Sequence, residues 1–439
     1  MAFGEADAAV FHGRDVATAR LVSTLGRHMT GSGPLVVTGA SGAGKSSLLR
    51  AGLLPAVGRG ELTEEARRWW RHVLPRPTGS PLSPLALLLA AMAGLDVPTV
   101  LDRLRARPGE AHLLVRQAVE ADARRRGLSE AEVATCRLLL VVDQFEEIFT
   151  PVEGQEAVDA AAERSAFVAA LHAASTRPCG ALGTPSALVV IAVRGDFIDR
   201  CAGQPLIEEA LARPFIVGPM SESELRRAIS APADAAGLEI EPGLVETILS
   251  DLRGLDGEYG AGTLPLLSQT MLTTWEHREE NRLTSRGYGR TGGVEHAVAA
   301  SADAAYNGLD PADRTAARQM FRRLTAVSQE GRLSRRPMAR PAVAATGGTS
   351  AVGRAMEAFA RRRLIVVDDE TVQIAHDVLL VVWPQLRARL AGSRSHRARP
   401  LQPVPRRRGG MAAQRQTGGL PVSGRAPDEP APTPAPLAV

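Results

Sequence analysis

Residues 39–47 read GASGAGKSS, which puts Gly39, Gly44, Lys45 and Ser46 in the spacing GxxxxGK[ST]. Glycines at these positions let the backbone curl until consecutive N–H groups point at one anion, and the helix that follows adds its positive end. Ser41, Gly42 and Ala43 carry further N–H groups of such a cradle, and Ser47 follows at the start of the helix. The chemistry expected of the pattern is nucleotide phosphate binding. Lys45 would bridge the β- and γ-phosphates, and the Ser46 hydroxyl would ligate Mg²⁺.

Two more stretches carry matching groups. RLLLVVDQFEEIF at 137–149 is an apolar run ending on Asp143, a carboxylate placed to hold Mg²⁺ beside such a loop. Glu146 and Glu147 follow at once, and either could orient or deprotonate an attacking water. Glu147 is the first choice, and the sequence leaves both open. ALVVIAVRGDF at 187–197 is another apolar run ending on Arg194, a cation placed to sense a γ-phosphate.

These groups need strands to aim them. Residues 34–50 read as strand, glycine-rich turn and helix, and the other two runs as fully buried parallel strands. Helical stretches such as 159–174 lie between them, so the expected fold is α/β, a three-layer arrangement around a parallel sheet. After about residue 215 the buried-strand pattern stops. Residues 221–280 read as helices, with Ser221 as N-cap and Glu224 at the capping-box position. Residues 313–327 and 351–362 also read as helices. LIVV-DDET-VQIA at 364–375 reads as a hairpin and 377–391 as an amphipathic helix, the order of a winged helix. The expected division is a nucleotide-binding core at 1–215, a helical lid at 216–300, a winged-helix domain at 301–391 and a disordered Arg/Pro-rich tail at 392–439.

Composition narrows the class. Of 439 residues, 44% are hydrophobic and 23% charged, as in globular protein. Lys occurs once, at Lys45, so Arg supplies the other 51 of the 52 basic residues. Cys136, Cys179 and Cys201 are odd in number and lack CxxC spacing, which argues against a disulfide framework or a zinc site. No signal-peptide pattern opens the chain, and the longest apolar stretch, 84–95, is too short to span a bilayer and reads as a buried helix. A cytoplasmic protein with no membrane partner is the expectation. The net charge of +4 belongs to the tail, whose eight Arg face only Asp428 and Glu429. Nucleic acid is therefore not indicated as a partner of the folded part.

In this combination the chain resembles a STAND-type P-loop NTPase, and more narrowly the bacterial novel STAND NTPases, relatives of NACHT and NB-ARC switches. The resemblance runs from about residue 11 to 391. FHGRD at 11–15 resembles the element that precedes the phosphate loop and lines adenine, here Gly13 and Arg14. VVDQFEE resembles the NACHT-like Walker B segment. VRGDF resembles the sensor strand. GTLPLLSQTMLTTW at 262–275 resembles the lid element whose proline packs on adenine, here Pro265. IAHDVLLVVWPQL at 374–386 resembles the motif whose histidine reaches the β-phosphate of ADP, here His376. Two departures stand out. Pro265 lies three residues after its glycine rather than two, and Gln144 occupies the place of a glutamate in AAA+ motors.

The resemblance implies an ATP/ADP-dependent switch with slow hydrolysis and Mg as cofactor. Protein partners or self-association in the ATP state would follow. An alternative is an origin-recognition-like ATPase with a DNA-binding winged helix, though 377–391 offers only Arg387 and Arg389 as cations. Another is a nucleotide-binding scaffold or transcriptional regulator without turnover. About ten residues precede FHGRD and only the Arg/Pro-rich tail follows Leu390. The expectation is therefore either a minimal switch acting with partners in trans, or a truncated or frame-shifted form of a repeat-bearing protein.

Overall fold

The structure is a computed structural model. It describes residues 3–30, 33–75, 77, 80–149, 157–254, 259–260, 263–290, 292–327, 333–336, 338–339, 349–362, 364–367, 371–375, 379–380 and 383. His376, nearly all of the helix expected at 377–391 and the whole tail from 392 lie outside the described residues.

Five strands form the central sheet: β1 (Leu35–Gly39), β2 (Trp70–Pro75), β3 (Leu138–Asp143), β4 (Ala187–Arg194) and β5 (Phe215–Ile216). Their order is β2-β3-β4-β1-β5, and every pair is parallel. Three of the five are the apolar runs expected from the sequence. β2 and β5 were not legible there: β2 reads WRHVLP, with charge in its middle, and β5 is two residues long on the opposite edge.

The three inner strands, β3, β4 and β1, are buried on both faces, as parallel strands must be when helices cover them. Val36, Leu138, Leu140, Val142, Val189 and Ile191 turn to one side, against α3 (Leu82–Ala93), α4 (Val97–Ala106), α5 (Ala111–Arg125) and α6 (Ala157–Thr176). Leu35, Val37, Leu139, Val141, Leu188 and Val190 turn to the other, against α1 (Asp15–Arg27) and the phosphate-loop helix α2 over 45–58. Alternation along each strand thus feeds two separate cores, and the fold is the three-layer α/β arrangement. The apolar run at 84–95 is α3, buried at Leu85, Ala86, Leu89 and Ala90. Among the described residues no helix is long and apolar enough to cross a membrane.

Beyond the sheet the chain turns helical, as the loss of buried-strand pattern requires. α7 (Glu222–Ala235) starts at Ser221, whose side chain and that of Glu224 form the expected capping box. α8 (Leu244–Gly254), α9 (Thr263–Glu276), α10 (Gly293–Asn307), α11 (Pro311–Arg323) and α12 (Thr349–Arg361) follow. A small parallel pair, β6 (Glu239–Ile240) and β7 (Arg282–Leu283), ties α7 to the end of α9. The helix expected at 313–327 stops at Arg323. Residues Thr325–Val327 instead form β8, paired antiparallel with β9 (Leu333–Arg335). The hairpin is present as β11 (Ile365–Val367) and β12 (Thr371–Ile374), with β10 (Met338–Ala339) on its outer edge.

One continuous apolar core runs from Met220 to Trp383. At its far end Trp383 packs edge-on against Phe321 and Tyr306, with Phe359 beside them, and donates its indole N–H to Asp303 at 2.7 Å. Removing so large a buried ring leaves a cavity that its neighbours cannot fill. Trp383→Ala is therefore expected to lower unfolding free energy by about 3–5 kcal/mol, read by denaturant titration. A loss under about 1 kcal/mol would show that this ring cluster is not the anchor described.

Candidate functional site

Parallel pairing brings the ends of β1, β4 and β3 to one edge. Gly39 sits opposite Arg194, while Val142, one residue before Asp143, is aligned with Ile191. The strand between the phosphate loop and Asp143 is therefore the one that ends on Arg194. Three signals far apart in sequence meet along this edge.

The loop leaves β1 at Gly39, passes Ser41 and Gly42 in a turn and enters α2 at Lys45. Gly44 has φ +88°, in the left-handed region where a β-carbon is strained, and a β-carbon there would lie 3.2 Å from Leu264 Cδ1. The Lys45 ammonium donates to the carbonyls of Gly39 at 2.7 Å and Ala40 at 3.0 Å. Burial pushes its pKa down; Glu146 opposes that shift, and the charge of Arg194 reinforces it. Ser47 Oγ accepts the backbone N–H of Phe3 at 3.1 Å, so the N-terminal segment lies on the start of α2.

Asp143 is 1% exposed. Its Oδ1 accepts the Ser46 hydroxyl at 2.9 Å, and its Oδ2 accepts Arg50 Nη2 at 2.8 Å. Ser46 Oγ and Asp143 Oδ1 are oxygen donors side by side, and oxygen is what a hard cation such as Mg²⁺ requires. The pair fits the metal role expected of it.

After Asp143 the chain turns sharply through Gln144, whose φ is +55°, an uncommon conformation for a residue with a side chain. The turn sends Phe145 into the core and buries both Glu146 and Glu147. Glu146 accepts the backbone N–H of Arg194 at 3.2 Å, and burial pushes its carboxyl up to about 7. The Arg194 guanidinium is paired with Asp196 through two bonds, at 3.0 and 2.7 Å.

Gly13 and Arg14, expected to line adenine, form a joint. Arg14 is buried, and its Nη2 donates to Ala43 O in the phosphate loop and to Gly218 O beyond β5, both at 2.9 Å. The neighbouring Asp15 pairs with Arg227 of α7 at 3.2 Å. Gly13 has φ +84°, and a β-carbon there would meet Glu224 O at 2.4 Å and Met220 Cε at 2.9 Å. Pro265 lies half-buried in the first turn of α9, and the side chain of its neighbour Leu264 approaches Gly44.

Three participants were missed in the sequence. Arg50 is one helical turn beyond Ser46, a spacing that places both on one face and could have revealed it. Leu264 was overshadowed by the proline beside it. Arg335, at the end of β9, donates to Ala375 O at 3.0 Å and lies near enough for its charge to oppose that of Lys45. Nothing local in the sequence links it to residue 45.

The fold and the loop together define a P-loop NTPase. The family profile of novel STAND NTPase 1 matches residues 1–402, and the chain belongs to that family. A comparison with curated proteins finds no match. Among solved structures, the ORC1 protein of Aeropyrum pernix in complex with DNA is similar at 16% identity, covering 88% of this chain and 94% of that one, with a TM-score of 0.42. The ORC2 protein of the same organism, in ADPNP–ADP complexes, is similar at 14% identity over 87% and 94%, with a TM-score of 0.46. Drosophila ORC bound to DNA is similar at 13% identity over 85% and 87%, with a TM-score of 0.40.

The tightest contact in the joint gives a direct check. Gly13→Ala forces a β-carbon into the Glu224 carbonyl at a left-handed backbone position, at a cost of at least about 1–3 kcal/mol. The denaturation midpoint is expected to fall accordingly, and an unchanged midpoint would contradict the close docking of residue 13 on α7.

Proposed function

We propose that this chain is an ATP/ADP-dependent switch of the STAND type, binding nucleotide at residues 39–47 with Mg²⁺ and hydrolysing ATP slowly. In this reading residues 1–215 are the nucleotide core, 216–300 the lid and 301–391 the winged-helix domain. The observation that carries it is the phosphate loop's neighbours, which come from three separate parts of the chain. Arg14 holds Ala43 and Gly218 together, Leu264 meets Gly44, and Arg335 stands near Lys45. A ligand entering the loop must alter contacts that also fix the lid and the C-terminal strands, and such contacts bias a two-state element.

Ser46 and Asp143 would hold the divalent ion, which when bound supplies positive charge against the phosphate oxygens. Lys45 would leave the Gly39 and Ala40 carbonyls for a phosphate, exchanging neutral acceptors for charged ones. Of the two buried acids, Glu146 is assigned the role of taking a proton from water. Its charge is felt by Lys45, and its own pKa lies near the working pH, where a general base is most effective. The ionised form accumulates only as pH rises through about 7, so hydrolysis should rise over that range and level off above it. Protein partners or self-association in the ATP form complete the reading.

The test combines retained nucleotide with turnover. Purified protein is expected to carry ADP, detected by chromatography after denaturation, and to release phosphate from ATP slowly. Glu146→Gln should lower phosphate release by about a hundredfold or more and erase the rise near pH 7. Lys45→Arg should abolish retention, because a wide planar guanidinium does not fit where a compact ammonium bridges two phosphates. Retained ADP in Lys45→Arg, or a pH profile unmoved in Glu146→Gln, overturns the corresponding assignment.

A further inference from the structure

Arg50 is a charged side chain at the phosphate edge that the proposed chemistry does not use. Ser46 and Arg50 are four residues apart on α2, so the helix aims both at Asp143. The serine takes Oδ1 at 2.9 Å and the guanidinium takes Oδ2 at 2.8 Å. The Asp143 side chain is 2% exposed and that of Arg50 29%. This pair is therefore screened by water far less than a surface ion pair.

We propose that Arg50 is a resident counter-cation for Asp143, which makes the carboxylate available to a divalent ion only when nucleotide phosphates arrive with it. The inference rests on reading residues 39–47 as a nucleotide-phosphate loop. A divalent ion beside Oδ1 stands next to the guanidinium on Oδ2, and like charges at that separation repel. Among the described residues no group of three or more His, Cys, Asp or Glu could hold a metal. Ser46 and Asp143 are two donors, and the charge of the anionic one is already balanced. The negative charge needed to hold a second cation must come from the ligand. In this arrangement the ion arrives as part of a nucleotide complex, and the protein by itself binds it poorly. An Arg50 that merely oriented Asp143 as a metal ligand would have the opposite effect: its loss would weaken metal binding.

The two directions are separable with the full chain freed of nucleotide. Mn²⁺ serves as the probe, its binding followed by electron paramagnetic resonance and its effect on Tm by thermal melting. Wild type, Arg50→Met, Arg50→Gln and Arg50→Lys are compared. The Met and Gln variants are expected to bind Mn²⁺ at least about tenfold more tightly than wild type. Their Tm, lowered by leaving Asp143 without its cation, should recover on adding Mn²⁺. Arg50→Lys keeps the charge and should behave as wild type. Equal or weaker Mn²⁺ binding in whichever of the Met and Gln variants folds, or no recovery of Tm, overturns the proposal. ATP binding by wild type in the presence of Mg²⁺ is measured alongside. Its absence would count against the phosphate-loop reading, while the Mn²⁺ comparison judges Arg50 by itself.

Discussion

A parallel strand delivers its last residue to the same edge as its neighbours, and the chemistry of this chain depends on that constraint. β1 releases its chain into the glycine loop, β3 ends on Asp143, and β4 between them ends on Arg194. Neither Ser46 nor Asp143 would be worth remarking alone. Residues 97 positions apart become a 2.9 Å hydrogen bond because the sheet holds both ends in register. The apolar alternation that feeds two cores is what makes that register rigid, since a slip by one residue would turn every strand side chain to the wrong face.

The same edge concentrates buried charge, which must be matched locally. Asp143 and Glu146 solve this in different ways. Asp143 lies against a hydroxyl and a guanidinium, which give each of its oxygens a partner. Glu146 has backbone N–H groups and more distant cations, and burial leaves its carboxyl near 7. Two carboxylates three residues apart thus sit in different surroundings, one partnered at both oxygens and one pushed up by burial. The left-handed turn at Gln144 creates the difference by sending the acids after Asp143 back into the protein rather than out to solvent.

What could be read from the sequence follows the range of the interactions. The phosphate loop, the apolar runs ending on Asp143 and Arg194, the capping box at Ser221 and the hairpin at 364–375 are local patterns, and all are present as elements. β2 escaped because a strand on the sheet's edge tolerates an Arg and a His in its middle. The end of α11 was placed too late because Thr325–Val327 could extend a helix, whereas pairing with β9 makes it a strand. Arg14 was given a ligand-lining role by resemblance, and its two carbonyl partners could not be known before Ala43 and Gly218 were brought together. Leu264 and Arg335 are brought near the loop only by tertiary packing, which no spacing rule encodes.

The lone lysine acquires a sharper meaning beside Arg50. Within five residues α2 uses both cations, and their positions are not interchangeable. Lys45 ends in a compact ammonium that folds back onto the carbonyls of Gly39 and Ala40, inside the curl of the glycine loop. A guanidinium is too wide and flat to turn within that curl. Arg50 must instead reach from the next turn of the helix to a buried carboxylate, and its planar group suits an oxygen fixed in position by Ser46. In a chain whose other 51 basic residues are all arginine, the single lysine stands where the loop curls around its ammonium. Where the site is a carboxylate approached from the side, arginine serves. In the proposed switch, the separation of the two cations along one helix would let the phosphate loop and the Asp143 carboxylate be controlled by different charges.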